Sequence, residues 1–266
     1  MFNFAAIDKD FDMQKKLTVS IIFFLCPLML FSKSADTDSI TFDRQDVRIE
    51  FSHSQWIVPA SLITIGVLGL DNMPLQSLNR AIRDKNTPHR LPIDDYTLFL
   101  PAVSIYGLDF LGTQARHNFL DRSLITLTAY ATMGIFVQTL KWSVDEPRPD
   151  FTVSREYDSF PSGHTAIAFV GAEIVRREYW NDSPWYGIGA YAVALGTGFL
   201  RVYNDRHWTT DVIAGAGFGI LSANIAYWLL PVEKRIWQNI CRKQASVSFT
   251  PYYTGSQGGL SLAYRF

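Results

Sequence analysis

The chain has 266 residues, with 24 lysines and arginines against 25 aspartates and glutamates, so almost no net charge and no basic face that would argue for nucleic acid as a partner. Two cysteines, Cys26 in an N-terminal apolar run and Cys241 near the other end, exclude a disulfide framework and a cysteine-based metal site. Nothing in the middle reads as a linker, which leaves one main unit.

From Met13 the chain reads "MQKKLTVSIIFFLCPLMLFSKSADTDS". Two lysines, an apolar run from Leu17 to Phe31 and small residues around Ser34 and Ala35 are the three parts of a secretory signal. Residues 1–35 are therefore expected to be a signal peptide or an N-terminal hydrophobic segment, with a retained anchor as the alternative.

Five later stretches are almost free of charge: Ser54 to Leu70, Tyr96 to Gly112 with only Asp109 inside, Ser123 to Leu140, Pro184 to Leu200, and Val212 to Pro231. Each approaches the length of about 20 residues that spans a bilayer. A sixth, His164 to Val175, is helical by its alanine and phenylalanine content. The runs are too long and too unpunctuated for strands. The expected fold class is all-α, a transmembrane bundle of about six helices over residues 36–245. A tail, 246–266, alternates large and small residues in "LSLAYRF" after a glycine-rich "TGSQGG", which predicts a short β-hairpin.

Three polar stretches stand out against this background. "KWSVDEPRPD" carries Lys141 and Arg148, with Pro147 and Pro149 fixing the backbone around the arginine. If Lys141 ends a helix, its ammonium and the Arg148 guanidinium face one mouth, and a phosphate suits both the point charge and the planar fork. "FPSGHT" places Ser162 and Gly163 just before a helix, where unsatisfied N–H groups and the helix dipole favour an anion, and His164 at its opening, where it can give a proton to a departing oxygen. "RVYNDRHWTTD" adds Arg201, His207 and Asp211. The last two are four apart, so on a helix they share a face, and the carboxylate can hold one ring nitrogen so that the other is free to attack. His53, His89 and His117 fit no such pattern and read as surface or interfacial residues.

These three stretches resemble the signature motifs of the type 2 phosphatidic acid phosphatase superfamily, which includes lipid phosphate phosphatases, class A acid phosphatases and vanadium haloperoxidases. The resemblance covers residues 141 to 211 and departs at Leu200, where the family usually has serine. It implies that His207 attacks phosphorus and forms a phosphohistidine, that Asp211 orients it and that His164 protonates the leaving oxygen. Lys141, Arg148, Ser162, Gly163 and Arg201 would hold the phosphoryl oxygens, with no metal or other cofactor required.

The reading that follows is a membrane phosphatase acting on a phosphomonoester or diphosphate of a lipid: phosphatidate, undecaprenyl diphosphate, phosphatidylglycerol phosphate or a lipid A type. Its partners would be that lipid and the membrane, and its place a bacterial inner membrane with the site facing the periplasm. The alternative is a soluble exported acid phosphatase of the same superfamily; a non-catalytic membrane scaffold is a third reading, disfavoured by the complete motif set.

Overall fold

The computed structural model describes residues 54–70, 77, 79, 81, 91–150, 157–242, 246–253 and 258–265, with side chains through residue 236. The expected signal segment, His53 and His89 lie outside the described residues. The chain divides into two compact units after Ala226.

The first unit is helical among the described residues. Helix α1 spans Ser54–Leu68, α2 Asp94–Thr97, α3 Leu100–Gly107, α4 Phe119–Ser143, α5 Gly163–Tyr179 and α6 Pro184–Tyr203, while α7, Thr209–Arg242, runs on into the second unit. Counting the broken 94–111 stretch once, these make six helical segments among the described residues, besides the helical residues 77, 79 and 81, in line with the expected bundle of about six. The stretch expected to be one helix from Tyr96 to Gly112 is instead α2, α3 and a 3-10 turn over Leu108–Leu111. Pro101 explains the break. It has no N–H to give, so it suits the first turn of a new helix better than the interior of a long one. Gly112 then ends the stretch with a φ of 79°, in the left-handed region that costs glycine nothing.

Helices α4 and α7 are long and apolar enough to cross a membrane, α7 over Thr209–Ile236, and α1 is apolar but shorter. That is fewer than the five near-spanning runs expected from sequence. Asparagine and small residues set the helix ends. Asn118 caps α4 by accepting from the Asp121 N–H at 2.8 Å.

The core of the unit joins α4, α7 and the loop before α5: Leu140, Val144, Phe160, Ala214, Phe218 and Leu221 are buried together, with Trp56, Ile63 and Phe136 against them. Between α5 and α7 the backbones approach closely. A Cβ at Gly215 would stand 2.5 Å from the Ser162 carbonyl oxygen, and one at Gly219 would stand 2.6 Å from that of Ala166.

A polar network closes the end of the bundle where α4 begins and α5 stops. Arg122 binds both carboxylate oxygens of Asp109, the Tyr179 hydroxyl at 2.6 Å and the Ile105 carbonyl at 2.9 Å. Beside it His117, expected to be a surface or interfacial residue, is half-buried and clasped by Glu178, ring Nδ1 to Oε1 at 2.8 Å and backbone N–H to Oε2 at 2.9 Å. Of the polar side chains of α4, Tyr130 turns inward and donates to the Ile167 carbonyl at 3.3 Å, while Gln138 is exposed.

In the second unit, Ser246–Tyr253 and Gly258–Arg265 run antiparallel with Ser246 opposite Arg265. Their side chains lie outside the described residues, and the hairpin predicted for 246–266 stays an expectation.

Candidate active site

The other end of the bundle gathers the last turns of α4 and α6, the first turns of α5 and α7, and α2. Lys141 sits in the last turn of α4, as the sequence predicts. Helix α6 stops in a left-handed turn. Asp205 has φ 59°, its N–H donates to the Val202 carbonyl at 3.1 Å, and the Arg206 N–H donates to the Arg201 carbonyl at 3.0 Å. That pair of bonds is a Schellman ending, and it leaves Arg201 in the last turn while sending the chain back toward the bundle.

His207 follows, 2 % exposed, and its ring Nδ1 lies 3.4 Å from Asp211 Oδ2. The two were expected to share a helix face. Helix α7 starts only at Thr209, so His207 precedes it and the pair meets by a different device. The Asp211 carboxylate reaches back over the helix start and accepts from the Trp208 N–H at 2.9 Å, the acidic half of a capping box. Asp211 Oδ2 also accepts from the Ser159 hydroxyl at 2.5 Å, and Asp211 Oδ1 is buried with no hydrogen bond among the described residues. On the other side Asn79 donates to the His207 carbonyl at 3.1 Å and accepts from the Thr209 N–H at 3.0 Å.

The three motif loops are tied to one another. Trp208 Nε1 donates to the Pro147 carbonyl at 2.9 Å, joining the first loop to the third. The Ser162 N–H donates to the Asp211 carbonyl at 3.1 Å, joining the second to the third. This last bond corrects one expectation. The Ser162 N–H is already engaged, so a backbone donor for an anion falls to Gly163 and the rest of the α5 first turn, while the Ser162 hydroxyl accepts from Thr165 at 3.0 Å.

The cations fall into two groups, each held by a carboxylate that the sequence did not single out. Lys141 donates to the Asp158 carbonyl and lies 3.6 Å from its Oδ2, and Arg148 Nε donates to Asp158 Oδ1 at 2.9 Å. Arg201 Nη1 donates to Asp94 Oδ2 at 2.7 Å and lies 3.7 Å from Asp95 Oδ1. Its Nε is buried with no hydrogen bond among the described residues. Asn204 braces this second group by donating to Asp94 Oδ1 and to the Leu91 carbonyl, each at 2.9 Å. His164 Nε2 lies 3.0 Å from Asp95 Oδ1.

A cavity of about 230 Å³ opens here, lined by Leu91, Pro92, Asp94, Asp95, His164, Arg201, Asn204 and Arg206. Lys141, Arg148 and His207 do not line it; His207 links the two groups, because the charges of both Arg201 and Lys141 act on its ring. Burial lowers the His207 pKa to about 4, against the opposing pull of Asp211 and with the help of those two cations. At neutral pH its ring is therefore uncharged, with a lone pair to share. The Asp158 carboxyl is held below its ordinary range: burial pushes it up, and Arg148 and Lys141 more than reverse that. No cluster of histidine, cysteine and carboxylate suited to a metal ion occurs among the described residues.

Asp158 and Ser159 could have been suspected from their place just before "FPSGH", and Asn204 from its place inside the third motif. Asp94, Asp95 and Asn79 carry no such signal, since only folding brings them to residues about 70 to 130 positions away.

A helical bundle that draws histidines and cations together at one end through three loops is the class that fold and site define. The model of the PAP2 superfamily matches residues 122–235, the stretch that carries all three motifs, and that stretch belongs to this superfamily. Among curated proteins the chain is similar to "Lipid A 1-phosphatase" of Porphyromonas gingivalis, 35 % identical over 179 residues, which are 66 % of this chain and 38 % of that protein. It is also similar to "Phosphatidylglycerophosphatase B" of Bacillus subtilis, 27 % identical over 134 residues, 47 % of this chain and 64 % of that one. Among solved structures LpxE of Aquifex aeolicus matches 59 % of this chain and 97 % of its own, with 24 % identity and a TM-score of 0.47. The chain thus spans less than two thirds of the length of these curated relatives.

Proposed function

We propose that the protein is a membrane phosphatase that removes a phosphoryl group from a lipid by way of a phosphohistidine. The observation that carries the chemistry is the convergence of His207, Asp211, His164 and the cations Lys141, Arg148 and Arg201 at one end of the bundle. His207, uncharged near neutrality, attacks phosphorus through Nε2, since Nδ1 faces Asp211. The bond to the leaving oxygen breaks, and that oxygen takes a proton from His164. Water then attacks the phosphohistidine, giving its proton to His164, and the P–N bond breaks to return His207 and free phosphate. The cations neutralise the phosphoryl oxygens, the task that magnesium performs in other phosphoryl-transfer sites, so the step needs no metal.

The placement of charge on α4 supports the membrane. Arg122 and Lys141 bracket a stretch that rises about 28 Å at 1.5 Å per residue, close to the hydrocarbon thickness of a bilayer of about 30 Å. Between them Leu127 and Ile135 are exposed, as are Ile57 and Ile65 on α1 and Leu195 and Phe199 on α6. A water-soluble bundle would show polar stripes at those positions. The substrate would present its phosphate to His207 between the two cation groups, with its leaving oxygen toward His164 at the cavity and its tails in lipid. Following the resemblance, the site faces the periplasm from the inner membrane.

The test is phosphate release from phosphatidate, phosphatidylglycerol phosphate and lipid A by the detergent-purified full chain, with an acid-labile phosphoprotein trapped on rapid quenching. Absence of both from well-folded protein would overturn the reading.

A further inference from the structure

Two adjacent aspartates reach the cavity from α2, and they are used differently. Asp94 is 2 % exposed and is spent on Arg201 and Asn204, at 2.7 and 2.9 Å. Asp95 has a side chain 58 % exposed to the cavity and solvent, with Oδ1 3.0 Å from His164 Nε2 and 3.7 Å from Arg201 Nη1. We propose that Asp95 is a specificity-determining residue that selects a leaving group without negative charge, so that the site prefers a lipid phosphomonoester to a lipid diphosphate. This rests on the function proposed above, in which His164 protonates the leaving oxygen.

The leaving oxygen must come to the His164 ring, and Asp95 already stands within hydrogen-bond distance of that ring. Whatever is bonded to the oxygen therefore lies against the Asp95 carboxylate. If that neighbour is carbon, the carboxylate meets no charge, and a hydroxyl or amide N–H nearby can donate to it. If it is the second phosphorus of a diphosphate, an anion comes within a few ångströms of another anion, a distance over which salt at physiological strength screens little. Among the described residues, the cations that line the cavity do not offset this. Arg201 is matched by Asp94, and Arg206 is turned to Asp150, Nη1 to Oδ2 at 3.6 Å. Among the described residues the remaining wall is Asn204, whose amide N–H groups already go to Asp94 and the Leu91 carbonyl, and the apolar Leu91 and Pro92, which offer a second phosphate no donor side chain.

The experiment compares phosphatidate with diacylglycerol pyrophosphate, which share tails and differ only in the head, as substrates of the full chain in detergent micelles. Wild type should favour phosphatidate in kcat/KM, and Asp95→Asn should raise the ratio of diphosphate to monoester about tenfold. A ratio within twofold of wild type overturns the proposal. So does loss of both activities with vanadate binding intact, since Asp95 would then act only through His164. A binding arm does not depend on turnover: by calorimetry, Asp95→Asn should tighten methylenediphosphonate about tenfold relative to inorganic phosphate, and an unchanged pair of affinities also overturns it. If wild type binds both anions but hydrolyses neither lipid, the proposed function fails, and the binding arm alone judges the selectivity.

Discussion

The Ser159 hydroxyl donates to Asp211 Oδ2 over 2.5 Å, across 52 positions of sequence and from a residue that lies on no helix. Asp211 Oδ2 lies nearer to this hydroxyl and to the Trp208 N–H than to the His207 ring it is proposed to orient. Ser159→Ala should therefore lower kcat about tenfold with KM within about twofold, the size expected for one hydrogen bond to a charged group. Asp211→Asn should cost more, on the order of a hundredfold or beyond, because tautomer and charge both change. Steady-state kinetics of the two variants side by side decides it; equal losses would mean that the hydroxyl is the true orienter.

His207→Ala should abolish turnover and the trapped phosphoprotein together, while the protein remains folded and elutes as wild type from a sizing column. Residual phosphoprotein in that variant would assign the nucleophile elsewhere.

The depressed pKa of His207, about 4 against an ordinary 6.5, has a sign that can be checked. The folded state binds this proton less readily than the unfolded chain. Its contribution to stability is therefore present above about pH 6.5 and is lost as the pH falls from there through about 4. The melting temperature of the detergent-solubilised protein should fall more steeply over that window in wild type than in His207→Gln. Parallel curves would mean that the folded protein binds this proton as readily as the unfolded chain, so that the ring's pKa is not depressed.

Activity should survive excess EDTA and be blocked by vanadate, because Lys141, Arg148 and Arg201 supply the charge. Loss on chelation with recovery on adding a divalent ion would contradict the metal-free step.

The chain should stay with the membrane pellet through a carbonate wash and leave it only in detergent, given the exposed apolar residues on α1, α4 and α6. Active enzyme recovered without detergent would favour the soluble acid phosphatase instead.

The helical character of the first unit and the three motif loops were legible because long uncharged runs and closely spaced polar residues are local signals. The breaks were less so: Pro101 turned one expected helix into α2 and α3, and His207 fell outside α7 because Asp211 caps that helix from within its first turn. Spacing predicted that the histidine and the aspartate would meet, but not how. The carboxylates Asp94 and Asp95 were missed for a different reason. An aspartate in the first turn of a helix looks the same in sequence whether it faces water or holds a guanidinium, and only the packing of α2 against α6 tells them apart.

The close contact of α5 and α7 at Gly215 and Gly219 acts as a caliper. One helix opens at His164, the other just after His207, and the width of the gap between these two jaws is set where the shanks touch on bare backbone. A methyl group at residue 215, eight positions from His207, would push against the Ser162 carbonyl and spread the jaws. Every side chain of the proposed site would still be present, but His164 and His207 would no longer reach the same substrate.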